Sequence, residues 1–136
     1  MNILIDTNVL LSAVLRDRLP ESVVRYVASS DECRWIVTAP ILGEYLEVVG
    51  RPKFGLTSEL IRQWADLLAM RTIAIPSPPI HVSFPRDPKD AIFLSAAISS
   101  AADFLISGDK DLLESRTSLA TRIVSVAEFA AEFKIT

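Results

Sequence analysis

The sequence predicts an α/β fold, a parallel sheet covered on both faces by helices, and two observations carry that reading. Short apolar runs rich in β-branched residues alternate along the chain with longer segments whose apolar residues recur at helical spacing. That is the pattern of strand, crossover helix and strand, which builds parallel sheets with right-handed connections. The first such run, Ile3-Leu4-Ile5, is apolar at every position, as a strand buried on both faces requires.

Asn8 to Leu15 reads as the first helix, with Thr7 or Asn8 as its cap and apolar residues over most of its surface, which suits an interior position. After the charged turn Arg16 to Pro20, the spacing from Glu21 to Ala28 predicts a second helix with Pro20 in its first turn. Trp35 to Thr38 is the second strand, and Ala39-Pro40 opens a helix through Val49 that Gly50 and Pro52 stop. Ser58 to Met70 carries Leu60, Ile61, Trp64, Leu67 and Leu68 between polar residues, the pattern of an amphipathic surface helix. Thr72 to Ile75 is a third strand, ended by the stiff loop Pro76-Ser77-Pro78-Pro79.

Asp87 and Asp90 precede an alanine-rich helix, Ala91 to Ile98, whose small residues allow close packing on a sheet. Asp103 to Ser107 is the fourth strand, Gly108 to Asp111 turns into the short Leu112 to Glu114, and Arg122 to Val124 is the fifth strand. Ser125 caps a last helix with Val126, Phe129, Ala130 and Phe133 on one face. No internal repeat or low-complexity segment interrupts this order.

A chain of 136 residues with 50% hydrophobic content is expected to form a single domain, residues 1–136, with an ample core. The lone cysteine, Cys33, forms no intramolecular disulfide and reads as a small buried hydrophobe; no basic and apolar leader precedes the first strand, so a cytoplasmic location is expected. Charged and polar residues break the apolar runs well short of a membrane span, so the mean hydropathy of +0.34 reflects core packing. A net charge of −3 and a pI near 5.1 exclude a protein that holds nucleic acid by bulk electrostatics. A polyanionic partner requires local basic residues or a metal.

Asp6, Glu44, Asp90 and Asp109 each stand at, or within one turn of, the junction between a strand or loop and the following helix. In a parallel sheet these junctions share one edge, where α/β proteins bind ligands. Converging carboxylates repel one another unless a cation neutralises them. With no histidine or thiolate in the set, the expected ion is hard and octahedral, Mg²⁺ or Mn²⁺, and such ions favour phosphoester chemistry.

Four pieces of sequence, in this order, carry a resemblance across nearly the whole chain: Ile5-Asp6-Thr7-Asn8-Val9-Leu10, the helical Glu44, Asp87-Pro88-Lys89-Asp90 before the alanine-rich helix, and Ala102 to Leu113. Together they resemble the PIN-domain ribonuclease family, most closely its branch of toxin components of toxin-antitoxin modules. The resemblance implies a three-layer α/β/α sandwich with a central parallel sheet of four to five strands in the order 3-2-1-4-5. It implies a metal-dependent endoribonuclease with one or two Mg²⁺ or Mn²⁺ ions, an RNA substrate and a cognate antitoxin. Asp6, Glu44, Asp90 and Asp109 are then the acidic, metal-binding set, supported by Thr7, Asn8, Asp87, Ser107 and Asp111. Ser107 departs from the threonine that the family often has there, with the hydroxyl retained.

Plainer readings stand beside these. Asp6, Asp87 and Asp90 are each of a type that caps helices, and Asp111 competes with Asp109 for the fourth ligand position. Asp103 reads as satisfying a turn amide, His81 as a surface residue and Glu47 as part of a solvated face. Arg16, Arg18, Arg51, Lys53, Arg86, Lys89 and Lys110 flank the proposed edge and suit a phosphate backbone, or are ordinary surface charges. A phosphoryl-transfer domain with a nucleophilic aspartate would want a second acid next to or two after Asp6, where this chain has Thr7 and Asn8. The other alternative is a catalytically inactive nucleic-acid- or protein-binding module of the same fold, which would gain nothing from the carboxylate repulsion. A homodimer is expected to cover an apolar stripe on the helices at Glu21 to Ala28 and Ser58 to Met70.

Overall fold

The computed structural model describes residues 1–78, 88–114 and 120–136. Five parallel strands, β1 (Asn2–Ile5), β2 (Arg34–Val37), β3 (Thr72–Ala74), β4 (Phe104–Ile106) and β5 (Arg122–Val124), form one sheet in the order β3-β2-β1-β4-β5. This is the order that the resemblance implies. Helices α1 (Thr7–Val14), α2 (Arg18–Ser29), α3 (Ala39–Val49), α4 (Ser58–Arg71), α5 (Pro88–Ser100), α6 (Lys110–Glu114) and α7 (Val126–Phe133) surround it. Successive strand side chains point to opposite faces, and Ile3, Leu4 and Ile5 are all fully buried, so the central strand is covered on both sides.

Several boundaries differ from the sequence expectations, each for a local reason. The second strand ends one residue early because Thr38 leaves the ladder to cap α3, its hydroxyl accepting from the Ile41 amide at 3.4 Å. Helix α2 starts earlier, at Arg18, and α5 starts at Pro88, a residue preorganised for the first helical turn. Asp90 therefore sits inside the first turn of α5 rather than ahead of it. Neither Thr7 nor Asn8 caps α1: Thr7 is already helical, and Asp6 occupies the cap position without making a side-chain cap bond. Ser125 does cap α7, in a reciprocal capping box with Glu128.

Much of the expected apolar stripe on α2 and α4 is covered within the chain, while Leu60, Ile61 and Leu67 of α4 are half-buried and Met70 is exposed. Trp64 and Leu68 of α4 and Val23, Val24 and Val27 of α2 all belong to the core, and the Arg25 guanidinium lies 5.0 Å from the Trp64 ring centroid. The amphipathic periodicity thus reports core packing at Trp64 and Leu68. Cys33 is half-buried at the core's edge, where burial raises its thiol pKa. Among the described residues no helix is long and apolar enough to cross a membrane. Asp87, Arg86 and His81, with the side chain of Lys89, lie outside the described residues.

Strands β1 and β2 pair at Asn2 with Arg34 and at Ile3 with Trp35, whereas β1 follows β4 to its end, Ile5 against Ile106. Asp6 N–H continues the β4 ladder by donating to Ile106 O at 2.9 Å. The trans peptide then aims the Ile5 carbonyl the other way, toward β2. The buried Tyr45 hydroxyl, from α3, donates to that carbonyl, and Trp35 Nε1 donates to the same hydroxyl at 3.4 Å. A side chain from the next crossover thus satisfies the end of β1 where the strand ladder stops.

Candidate active site

The sheet order reverses direction between β1 and β4, and open α/β sheets bind ligands in the crevice beyond that point. Asp6 leaves β1 there in extended conformation, φ −61° and ψ 144°, with only 6% of its surface exposed. Its Oδ2 accepts a 2.7 Å hydrogen bond from the hydroxyl of Ser107, the fully buried residue that follows β4. Ser107 Oγ in turn accepts from the Asp109 amide at 2.9 Å. Asp109 Oδ1 accepts from the amides of Asp111 and Leu112 at 2.8 and 3.2 Å and so caps α6. Capping and site formation are compatible, because a carboxylate has a second oxygen.

Glu44, one turn into α3, and Asp90, in the first turn of α5, complete the arrangement. Asp6, Glu44, Asp90 and Asp109 line one cleft of about 250 Å³ together with Thr7 and Asn8. Asp111 is not on its wall, but ligand oxygens of Asp90, Asp109 and Asp111 lie within 4.8 Å of one another. Ser107 lies beneath the wall, and Arg51, Lys53 and Phe54 are also part of the lining. Arg16, Arg18 and Lys110 are exposed and do not line it. Glu47 is exposed and holds Arg51 through two bonds of 3.1 and 2.8 Å. Asp103 accepts from the Asn2 amide at 2.7 Å, at the opposite end of the sheet.

Burial raises the pKa of Asp6; the Ser107 hydrogen bond pulls it down, and the negative charges of Asp109 and Glu44 push it further up. Glu44 Oε2 and Thr7 Oγ1 are buried with no hydrogen-bond partner among the described residues. An all-oxygen donor set, a carboxylate triad and an orphaned carboxylate oxygen together fit a hard divalent cation, which would offset both costs.

Two contributors escaped sequence reading. Tyr45 is the hydroxyl behind Asp6, and burial holds its phenol far above the ordinary range; only an aromatic residue one position past Glu44 hinted at it. Phe54 lies on a short 3₁₀ turn, Pro52–Phe54, in which the sequence marks Pro52 as a stop after α3 and Lys53 as a flanking cation but gives no sign of the ring's place. A larger groove of about 800 Å³, at the far end of the sheet beside Met1 and Phe104, has Asp103 and Glu132 as its acidic residues. Glu132 is paired with Arg122 at 2.7 Å, and nothing there converges as the carboxylates do.

Comparison with known proteins agrees with this fold. VapBC2 from Rickettsia felis, bound to a DNA fragment from their promoter, has a TM-score of 0.66 at 14% identity, over 92% of this chain and 98% of that one. The PIN domain endonuclease Utp24 gives 0.56 at 15% identity, over 91% and 84%. PAE2754 from Pyrobaculum aerophilum gives 0.59 at 14% identity, over 98% and 96%. At these identities the likeness is one of fold. Comparison with curated protein sequences finds no match. The PIN domain family model, however, matches residues 2–111, through β1, α3, α5 and the turn after β4, and the chain belongs to the PIN-domain family.

Proposed function

We propose that residues 1–136 act as a single metal-dependent endoribonuclease domain that hydrolyses phosphodiester bonds of single-stranded or structured RNA. We further propose that it is the cytoplasmic toxin of a toxin-antitoxin pair. The observation that carries the reading is the convergence of Asp6, Glu44, Asp90 and Asp109 on one cleft at the point where the sheet order reverses. Membership of the PIN-domain family and the fold shared with the endonuclease Utp24 support it.

Asp6, Asp90 and Asp109 would hold Mg²⁺ or Mn²⁺, with Asp111 beside them and Glu44 facing the same space. Such an ion, when bound, supplies Lewis-acid polarisation of the phosphate and a more acidic water. The chain's own groups do the rest. Ser107 fixes the rotamer of Asp6, and the α6 cap fixes that of Asp109. Glu44 Oε2, without a hydrogen-bond partner among the described residues, would orient the attacking water, and Thr7 and Asn8 add polar groups to the cleft lining. Arg51 and Lys53 offset phosphate charge that the acidic wall repels.

A cognate antitoxin belongs to the same reading and is supported by the fold shared with VapBC2. A homodimer remains part of it: Met70 and Ile73 are exposed at 77% and 44% where α4 runs into the edge strand β3. Incubation of the purified protein with RNA and with DNA, in Mg²⁺, Mn²⁺ or chelator, tests the activity. Metal-dependent cleavage of RNA is the expected result, and binding without cleavage would favour an inactive binding module.

A further inference from the structure

We propose that Phe54 is a platform on which a base of single-stranded RNA stacks beside the acidic cleft, with Lys53 on the same turn taking a neighbouring phosphate. The inference rests on the nuclease reading and names the form of substrate it accepts. Phe54 lines the cleft yet takes no part in the hydrophobic core, whereas Leu56, two residues on, packs against it. A half-buried ring set among carboxylates offers nothing to a metal or a phosphate, but its flat face suits a nucleobase.

The turn that carries the ring is stiff. Phe54 N–H donates to Arg51 O at 3.1 Å and Gly55 N–H to Pro52 O at 3.0 Å, while Gly55 has φ 62°, a left-handed conformation that favours glycine. Pro52 fixes its own φ, so the ring enters binding with little backbone entropy to lose. The Lys53 ammonium lies over the Phe54 ring, 5.2 Å from its centroid, so a base that stacks on that face takes the place of the ammonium as it turns to the neighbouring phosphate. Arg51 has its charge offset by Glu47, which leaves Lys53 as the stronger attractor for phosphate. Bases in a duplex are already stacked and paired, so such a platform selects single strands.

The test measures binding of a short fluorescein-labelled RNA, single-stranded or annealed to its complement, in Mg²⁺ and in an Asp109→Asn background that blocks cleavage. Phe54→Ala and Phe54→Leu should each weaken single-strand binding about 5- to 150-fold, the range of one lost base stack, and Phe54→Trp should restore it. Trp35 and Trp64 are 1% and 4% exposed, so the introduced tryptophan would dominate quenching by bound RNA. Lys53→Gln should lower the salt dependence by about one unit of slope. Wild-type-like binding by Phe54→Leu, or RNA bound without quenching of Phe54→Trp, would make the ring a filler and overturn the stacking proposal alone. If the parent protein neither binds nor cuts RNA, the nuclease reading falls with it.

Discussion

The hydroxyl of Ser107 donates to Asp6 Oδ2 at 2.7 Å across 101 positions of sequence, and Ser107 Oγ itself accepts from the Asp109 amide at 2.9 Å. One buried side chain thus sets the relative position of two of the four converging carboxylates. Ser107→Ala should lower RNA cleavage about 10- to 100-fold with the fold intact, the usual effect of losing a group that orients a ligand. Ser107→Thr, which keeps the hydroxyl, should retain most of the rate, and circular dichroism with single-turnover cleavage reads both outcomes.

The strands and helices around this bond were legible because they are written locally, in apolar runs and in Gly and Pro punctuation. Gly50 and Pro52 stopped α3 as expected, and Ser125 with Glu128 announced α7. The carboxylates at the strand ends were legible too, since a parallel sheet brings such ends to one edge. What stayed hidden depends on partners distant in sequence. The contact of Tyr45 with Ile5 spans 40 positions, and the approach of Phe54 to the carboxylates follows from how the turn after α3 folds back. Trp64, in the stripe expected to be covered by a second copy, is 4% exposed within the chain, because periodicity shows that a helix has an apolar face, not what covers it.

Tyr45→Phe tests that hidden contact. The variant keeps the ring but leaves the Ile5 carbonyl and Trp35 Nε1 without their shared partner, at a cost of about 1–3 kcal/mol for a buried unsatisfied group. Urea denaturation should show the loss as a lower midpoint with an unchanged slope. A midpoint equal to wild type would mean that the hydroxyl does not hold the end of β1.

Asp6 makes stability depend on pH in a stated direction. Its folded pKa is raised above the ordinary 3.8, so the metal-free native state binds the proton more tightly than the unfolded chain. That contribution is fully present below pH 3.8 and is lost as pH rises through the folded value. Asp6→Asn in chelator should therefore melt higher than wild type at neutral pH, with the advantage shrinking as the pH falls toward 3.8. A variant that melts lower at neutral pH would contradict the charge repulsion assigned to the cleft.

Metal should reverse that order. Binding to the native state alone stabilises by about 2.7 kcal/mol at a hundredfold excess over Kd, enough to raise Tm by several degrees in a domain of this size. Thermal melts in millimolar Mn²⁺ or Mg²⁺ should show the rise for wild type and a smaller one for Asp6→Asn. Curves that superimpose with and without metal would remove the ion from the account.

In the proposed reading, Asp6, Asp90 and Asp109 act together on one phosphodiester. Single-turnover cleavage of a single-stranded RNA in Mg²⁺ and Mn²⁺ by Asp6→Asn, Asp90→Asn, Asp109→Asn, Asp111→Asn and the distant control Asp103→Asn, each first shown to be folded, tests this joint action. The expected result is near-abolition of the rate by each of the first three, a smaller loss for Asp111→Asn, and a wild-type rate for Asp103→Asn. A greater loss from Asp111→Asn than from Asp109→Asn would reassign the fourth ligand, and wild-type rates in all the acidic variants would contradict the nuclease reading itself.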